Sequence, residues 1–377
     1  MMKPSEWILA MACAAGLLVA GPARVTASDH ADPMTLKDPE SNITGLFCFP
    51  KDGRMILILN IRRALTGPQP YDLTPFEYAI RMDLHTTVTF DDPSQKARYG
   101  GTVVSPEGLK EDAVIAFHLN ADTSVKSVTY TGLKHTDDIR VFTGVRDDPF
   151  IFPRFFKKNV ISMVLSLPMD AFPDGQQDFI LWGTAFKGGT QIDHVGRSNR
   201  TQQARFDFMN TLPPSQHVSE LMRINQSRNK WYTRFNHYRE TQPLAGLLQL
   251  LMLARPYDFV PDVMIYSTRF PVGFPNGRLL TDDVAAQTCA TGDCILQEIS
   301  FIEGGWPRAV VNDKPFSDDF PYLAAPFADS PQAPNPPSVF SSPLVDFVLL
   351  VAALWLLSPI LLIILSIKRW WRRVTAG

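Results

Sequence analysis

The stretch RMILILNIRR, Arg54 to Arg63, is a short aliphatic run between basic residues, with β-branched isoleucines through its middle. Its length and composition suit a strand better than a helix. Working outward, the same character recurs in FEYAIRMDLHTTVTF (Phe76 to Phe90), AVIAFHLN (Ala113 to Asn120), SVKSVTYTG (Ser124 to Gly132) and NVISMVLSLP (Asn159 to Pro168). The runs follow closely, each bounded by turn residues, and no long amphipathic helix separates them. That argues against a doubly wound α/β fold and for an antiparallel sandwich or barrel-like sheet.

The character changes at about residues 198–255. Ser215 suits a helix cap ahead of HVSELMRINQSRNK, and PLAGLLQLLML (Pro243 to Leu253) sets proline at a helix start. This apolar run is too short to span a bilayer, so it reads as a buried helix. The expectation is a mainly β body over 28–325 with a helical insertion. A Pro/Ser-rich stretch over 326–343 then reads as an extended tether.

Two apolar runs flank the body. Residues 1–27 read as a cleaved signal peptide or an uncleaved N-terminal anchor, with Val25 and Ala27 at the positions a leader peptidase requires. Within an expected membrane helix over 344–368, Phe347 to Ile367, FVLLVAALWLLSPILLIILSI, carries no charge and is long enough as a helix to cross roughly 30 Å of hydrocarbon. Pro359 would bend that helix, while Trp355 sits within its apolar length. Lys368, Arg369, Arg372 and Arg373 hold the 369–377 end on the cytoplasmic side, and Trp370 and Trp371 suit the headgroup layer. The expected address is a bacterial inner membrane, with the body in the periplasm and the lipid bilayer as one partner.

A formal net charge of −2 gives no reason to expect a nucleic-acid partner. Cys289 and Cys294 bracket a Thr-Gly-Asp turn and suit a small disulfide loop in an oxidising compartment, whereas Cys48 reads as a buried apolar residue.

Candidate chemistry is sparse. Cleavage after Ala27 would put His30 third in the mature chain, where the α-amine, two amides and the imidazole suit Cu(II) or Ni(II). Alternatively Asp29, His30 and Asp32 pin the start of the fold. Among several Asp-Asp pairs, Asp147-Asp148 and Asp282-Asp283 are the best suited to share Ca²⁺ or an arginine clamp, with Arg146 and Arg278 as internal partners. The seven histidines are scattered, and His194 is the most enzyme-like, beside Asp193 and Arg197. No nucleophile elbow, His-Glu-x-x-His, phosphate loop or haem attachment motif occurs, so no catalytic residue and no carried cofactor is expected.

In chain order, SDHADP, EYAIRMD, FTGVRDDPFIF, NVISMVLSLP, DHVGRS, VPDVMIY, GFPNGRLLTDDV and DDFPYLAAPF resemble the motifs of a bacterial domain-of-unknown-function family, number 4331. The resemblance covers nearly the whole exported part and implies a secreted domain with no assigned activity, to which the C-terminal anchor is an addition. Two departures stand out. His30 is followed by Ala31-Asp32-Pro33 rather than the family's Arg-Glu-Ala-Pro. Asp83 is followed by Leu84-His85-Thr86-Thr87, where members carry an acidic hairpin.

Two functions are therefore expected to compete. One is a non-catalytic, membrane-anchored accessory or stabilising subunit that docks on subunits of a respiratory or photosynthetic membrane complex. The other is a periplasmic metal-dependent binding protein or hydrolase that uses His30 and the paired aspartates.

Overall fold

The computed structural model describes residues 38–62, 65, 69–152, 155–197, 200, 206–226, 257–297 and 310–328, with scattered positions between 351 and 367. Strand β1 (Ile43–Lys51) and β2 (Arg54–Ile61) form a hairpin. Its two-residue turn is Asp52-Gly53, both with positive φ, the backbone that matches the twist of a hairpin. In β2, Met55, Leu57, Leu59 and Ile61 enter the main core, while Ile56 and Ile58 enter a second cluster. Both parities are apolar because both faces of the strand are covered.

Chain order continues with β3 (Phe76–Asp83), β4 (Val88–Thr89), helix α1 (Pro93–Tyr99), β5 (Thr102–Val103), β6 (Ala113–Leu119), β7 (Val125–Thr131), β8 (Arg140–Asp147), β9 (Asn159–Pro168), β10 (Asp178–Lys187) and β11 (Thr190–Val195). Helix α2 (Pro214–Gln226), β12 (Met264–Ser267) and α3 (Val284–Ala290) complete the named elements. One antiparallel sheet has the order β1-β2-β9-β8. The second runs β7-β6-β3-β10, and the outer edge of β10 is shared: β11 pairs with Gly183–Lys187 and β12 with Asp178–Leu181. Alternate residues of the two sheets meet in one core, including Leu46, Leu57 and Leu165 from the first and Tyr78, Phe117 and Leu181 from the second. Each such aliphatic side chain taken out of water contributes about 2 kcal/mol.

The sheets are also stitched on one side. Asn276 bridges to Ile265 of β12, and Arg278 exchanges backbone hydrogen bonds with Cys48 of β1 at 2.9 and 3.3 Å. The expectation of a mainly antiparallel β body thus holds, as a two-layer sandwich partly closed by the Asn276–Arg278 segment.

Three local differences have physical causes. The run Phe76–Phe90 is not one strand, because the Asp83 carboxylate accepts from the amides of His85, Thr86 and Lys110 and from the Thr86 hydroxyl, which folds a tight turn. Helix α2 starts at Pro214, so Ser215 lies in its first turn rather than ahead of it; proline's fixed φ suits that position. The outer face of the first sheet is covered by the C-terminal segment, through Phe316, Phe320, Tyr322 and Leu323.

Helix α2 falls within the expected insertion, while 227–256 lie outside the described residues. Residues 1–37, with the leader, and most of the tether and of the 344–368 span also lie outside them. Among the described residues no helix is long and apolar enough to cross a membrane.

Candidate functional site

At the shared edge of β10, β11 leaves and β12 arrives, and the DHVGR and VPDV motifs meet there. Gly196 and Arg197 donate their amides to the Asp262 carboxylate at 2.7 and 3.0 Å. A side chain at position 196 would place Cβ 2.3 Å from the Asp262 backbone, so the crossing needs glycine. His194 Nε2 lies 2.7 Å from the Asp262 carbonyl oxygen. Asp193 accepts from the Ile43 amide at 2.7 Å and so ties the start of β1 to β11.

His217, from α2, stacks edge-on against His194 at 4.9 Å. The Asp262 amide donates to its Nδ1 at 3.1 Å, which leaves Nε2 to donate to the carbonyls of Leu212 at 3.0 Å and Met209 at 3.2 Å. The ring is therefore the neutral Nε2–H tautomer. Burial, reinforced by His194, pushes its pKa down to about 3. Asp193, His194, His217 and Asp262 are fully buried.

Two arginines extend this network outward. Arg197 lies over the Tyr99 ring at 4.3 Å, and its Nη2 donates to the Pro261 carbonyl at 3.2 Å. Arg200 pairs with Asp258 at 2.6 Å, donates to the Asp258 and Val260 carbonyls, and lies over Phe206 at 4.2 Å. The Tyr99 hydroxyl donates to the same Asp258. Burial and the like charge of Arg200 bring Arg197 down to about 10. Burial opposes ionisation of both aspartates, but Arg200 and Arg197 outweigh it at Asp258, and the His194 hydrogen bond with the two arginines outweighs it at Asp262, so both carboxyls lie well below the usual range.

Arg197 and Tyr99 stand between two hollows. A small one of about 40 Å³ touches Arg98, Arg200, Asp258 and Thr288. A larger cleft of about 420 Å³ opens along β5, Phe259–Pro261 and β12.

The residues singled out from sequence take other posts. Arg146 and Asp147 are neighbours on β8 and so point to opposite faces. Arg146 lies over Phe142 at 4.1 Å, whereas Asp147 is buried and accepts from Asn312 at 2.8 Å. Asp148 accepts from the Phe150 amide at 3.0 Å. Arg278 is buried between the rings of Phe47 and Phe150, at 4.0 and 5.0 Å. Asp282 holds the 273–279 loop through the Phe274 and Leu279 amides, and Asp283 caps α3 through the Ala286 amide. Cys289 and Cys294 form a disulfide, and Cys48 is a buried free thiol. Among the described residues, no three His, Cys, Asp or Glu side chains come together as a metal-binding group. Asp29, His30 and Asp32 lie outside the described residues.

Sequence reasoning ranked His194 and Arg197 together but missed Asp258, Asp262, His217 and Tyr99. Asp262 is distant in the chain from all the groups it joins, and only its place in VPDV marked it. Comparison with family models, with curated proteins and with solved structures gave no match.

Proposed function

We propose that this chain is a membrane-tethered, non-catalytic module whose β body lies on the periplasmic side of a bacterial inner membrane. It would serve as an accessory or stabilising subunit of a respiratory or photosynthetic complex. The same reading takes the body as a member of the exported family it resembles.

One observation carries the proposal. In the helical positions described between 351 and 367, Val351, Leu354, Trp355, Ile363 and Ile367 are all exposed, Trp355 at 76%. The body covers none of them enough to bury it, and each large apolar side chain left in water forgoes about 2 kcal/mol. Lipid or a hydrophobic partner would recover that energy.

Ahead of this run, the segment ending at Phe327 is bound to the body. Asn159 and Phe327 exchange side-chain-to-backbone hydrogen bonds at 2.9 and 3.0 Å, and Lys314 donates to the Ala325 and Pro326 carbonyls. The tether therefore starts from a fixed place on the first sheet. A short tether keeps a body near its membrane neighbours at an effective concentration of roughly millimolar, enough to sustain weak docking.

The test is affinity purification in mild detergent, with mass spectrometry, of the full chain and of a chain lacking Phe347–Gly377. Membrane-complex subunits should accompany only the full chain in stoichiometric amount. If the shortened chain keeps every partner, helix docking is not the cause. If the full chain brings down no membrane subunit, the accessory-subunit reading fails.

A further inference from the structure

The 420 Å³ cleft is within the size range of small-molecule sites, roughly 300–1,000 Å³. Val103, Val263 and Ile265 supply apolar lining, and Phe259 stands partly exposed beside them. Among the described residues lining it, Arg197 is the only cation. Two carboxylates also line the cleft: that of Asp92 is engaged by the amides of Ser94 and Gln95 at the start of α1, and Asp91 is exposed to solvent, where its charge is screened.

Arg197 is unusual for a structural arginine. It is only 5% exposed, yet its Nε makes no hydrogen bond; the nearest carboxylate oxygen, on Asp262, is 3.7 Å away. A guanidinium has five donors in a fixed fork and binds carboxylates through two of them at once. A buried donor without a partner is costly.

We propose that this cleft binds a small amphiphilic monoanion, with its carboxylate on Arg197 and its aliphatic body on Val103, Val263 and Ile265. The site is independent of the membrane-tether reading, because it lies wholly within the β body.

The probe is 4-methylpentanoate, titrated into the full chain in mild detergent and followed by isothermal calorimetry. Two controls separate the contributions: 4-methylpentanamide keeps the shape without the charge, and acetate keeps the charge without the aliphatic body. The expected result is saturable binding of the acid, with both controls at least tenfold weaker. Arg197→Gln should abolish binding, but the loss of a buried charge partner for Asp262 can also unfold the chain. Val103→Asp is the companion variant, since it sets a negative charge in the cleft at a half-buried position. It should weaken the acid at least tenfold and leave the circular dichroism unchanged. Equal binding of acid and amide, undiminished acid binding by Val103→Asp, or no saturable binding would each overturn the proposal.

Discussion

Replacing Asp147 by asparagine should change how stability depends on pH. Asp147 is 1% exposed, and its Oδ1 has no hydrogen-bond partner while Oδ2 accepts from Asn312. Burial, with the added charges of Asp313 and Asp148, pushes its carboxyl from 3.8 up to about 7, against the opposing effects of Asn312 and Lys314. Between these two values the folded chain keeps the proton and the unfolded chain has released it. Stability contributed by the group is thus fully present below about pH 4 and lost as pH rises to about 7. The slope is about 1.4 kcal/mol per pH unit, so the total comes to about 4 kcal/mol as an upper figure. His217 gives the opposite slope, because its lowered pKa removes stability as pH falls below about 6.5 toward 3. The difference between wild type and Asp147→Asn cancels the histidine and isolates the aspartate. Urea unfolding of both chains, followed by circular dichroism at half-unit steps from pH 4.5 to 8, gives that difference. The variant should gain on wild type by about 1.4 kcal/mol per unit up to pH 7, then hold level. A constant difference across the range would mean that Asp147 is already ionised in the fold, and the burial argument would fail.

Two further outcomes follow from the β11–β12 junction. Gly196→Ala would press Cβ onto the Asp262 backbone, and the strands cannot part without breaking the two amide bonds to its carboxylate. It should cost about 3 kcal/mol, read as a lowered Tm with unchanged far-ultraviolet dichroism below the transition. The His217 ring should remain the neutral Nε2–H tautomer from pH 5 to 8, so its nitrogen chemical shifts should not move; a titration near pH 6.5 would contradict the buried geometry.

Much of the sheet was legible because strand signals are local. Arg54–Ile61 and Asn159–Pro168 are apolar runs that pair with each other in register, Leu57 opposite Leu165. Strand β10 is just as buried, and the Gly188-Gly189 turn that joins it to β11 is a local hairpin signal of the same kind. The site was less legible because it depends on pairing between distant segments. Asp262 serves Gly196 and Arg197 only because β11 and β12 share one edge of β10, and no spacing rule records that. The paired aspartates gave the opposite difficulty. Adjacent residues looked like joint ligands, yet strand alternation sends Arg146 and Asp147 to opposite faces, and Asp282 and Asp283 hold separate loops.

Protease treatment of intact spheroplasts carrying the full chain with a C-terminal epitope tests the tethered arrangement most directly. The account predicts that the β body is digested from outside while a short tagged fragment survives in the membrane, protected on the cytoplasmic face. A body that resists digestion until the spheroplasts are lysed, or a full-length chain recovered in the soluble fraction, would contradict it.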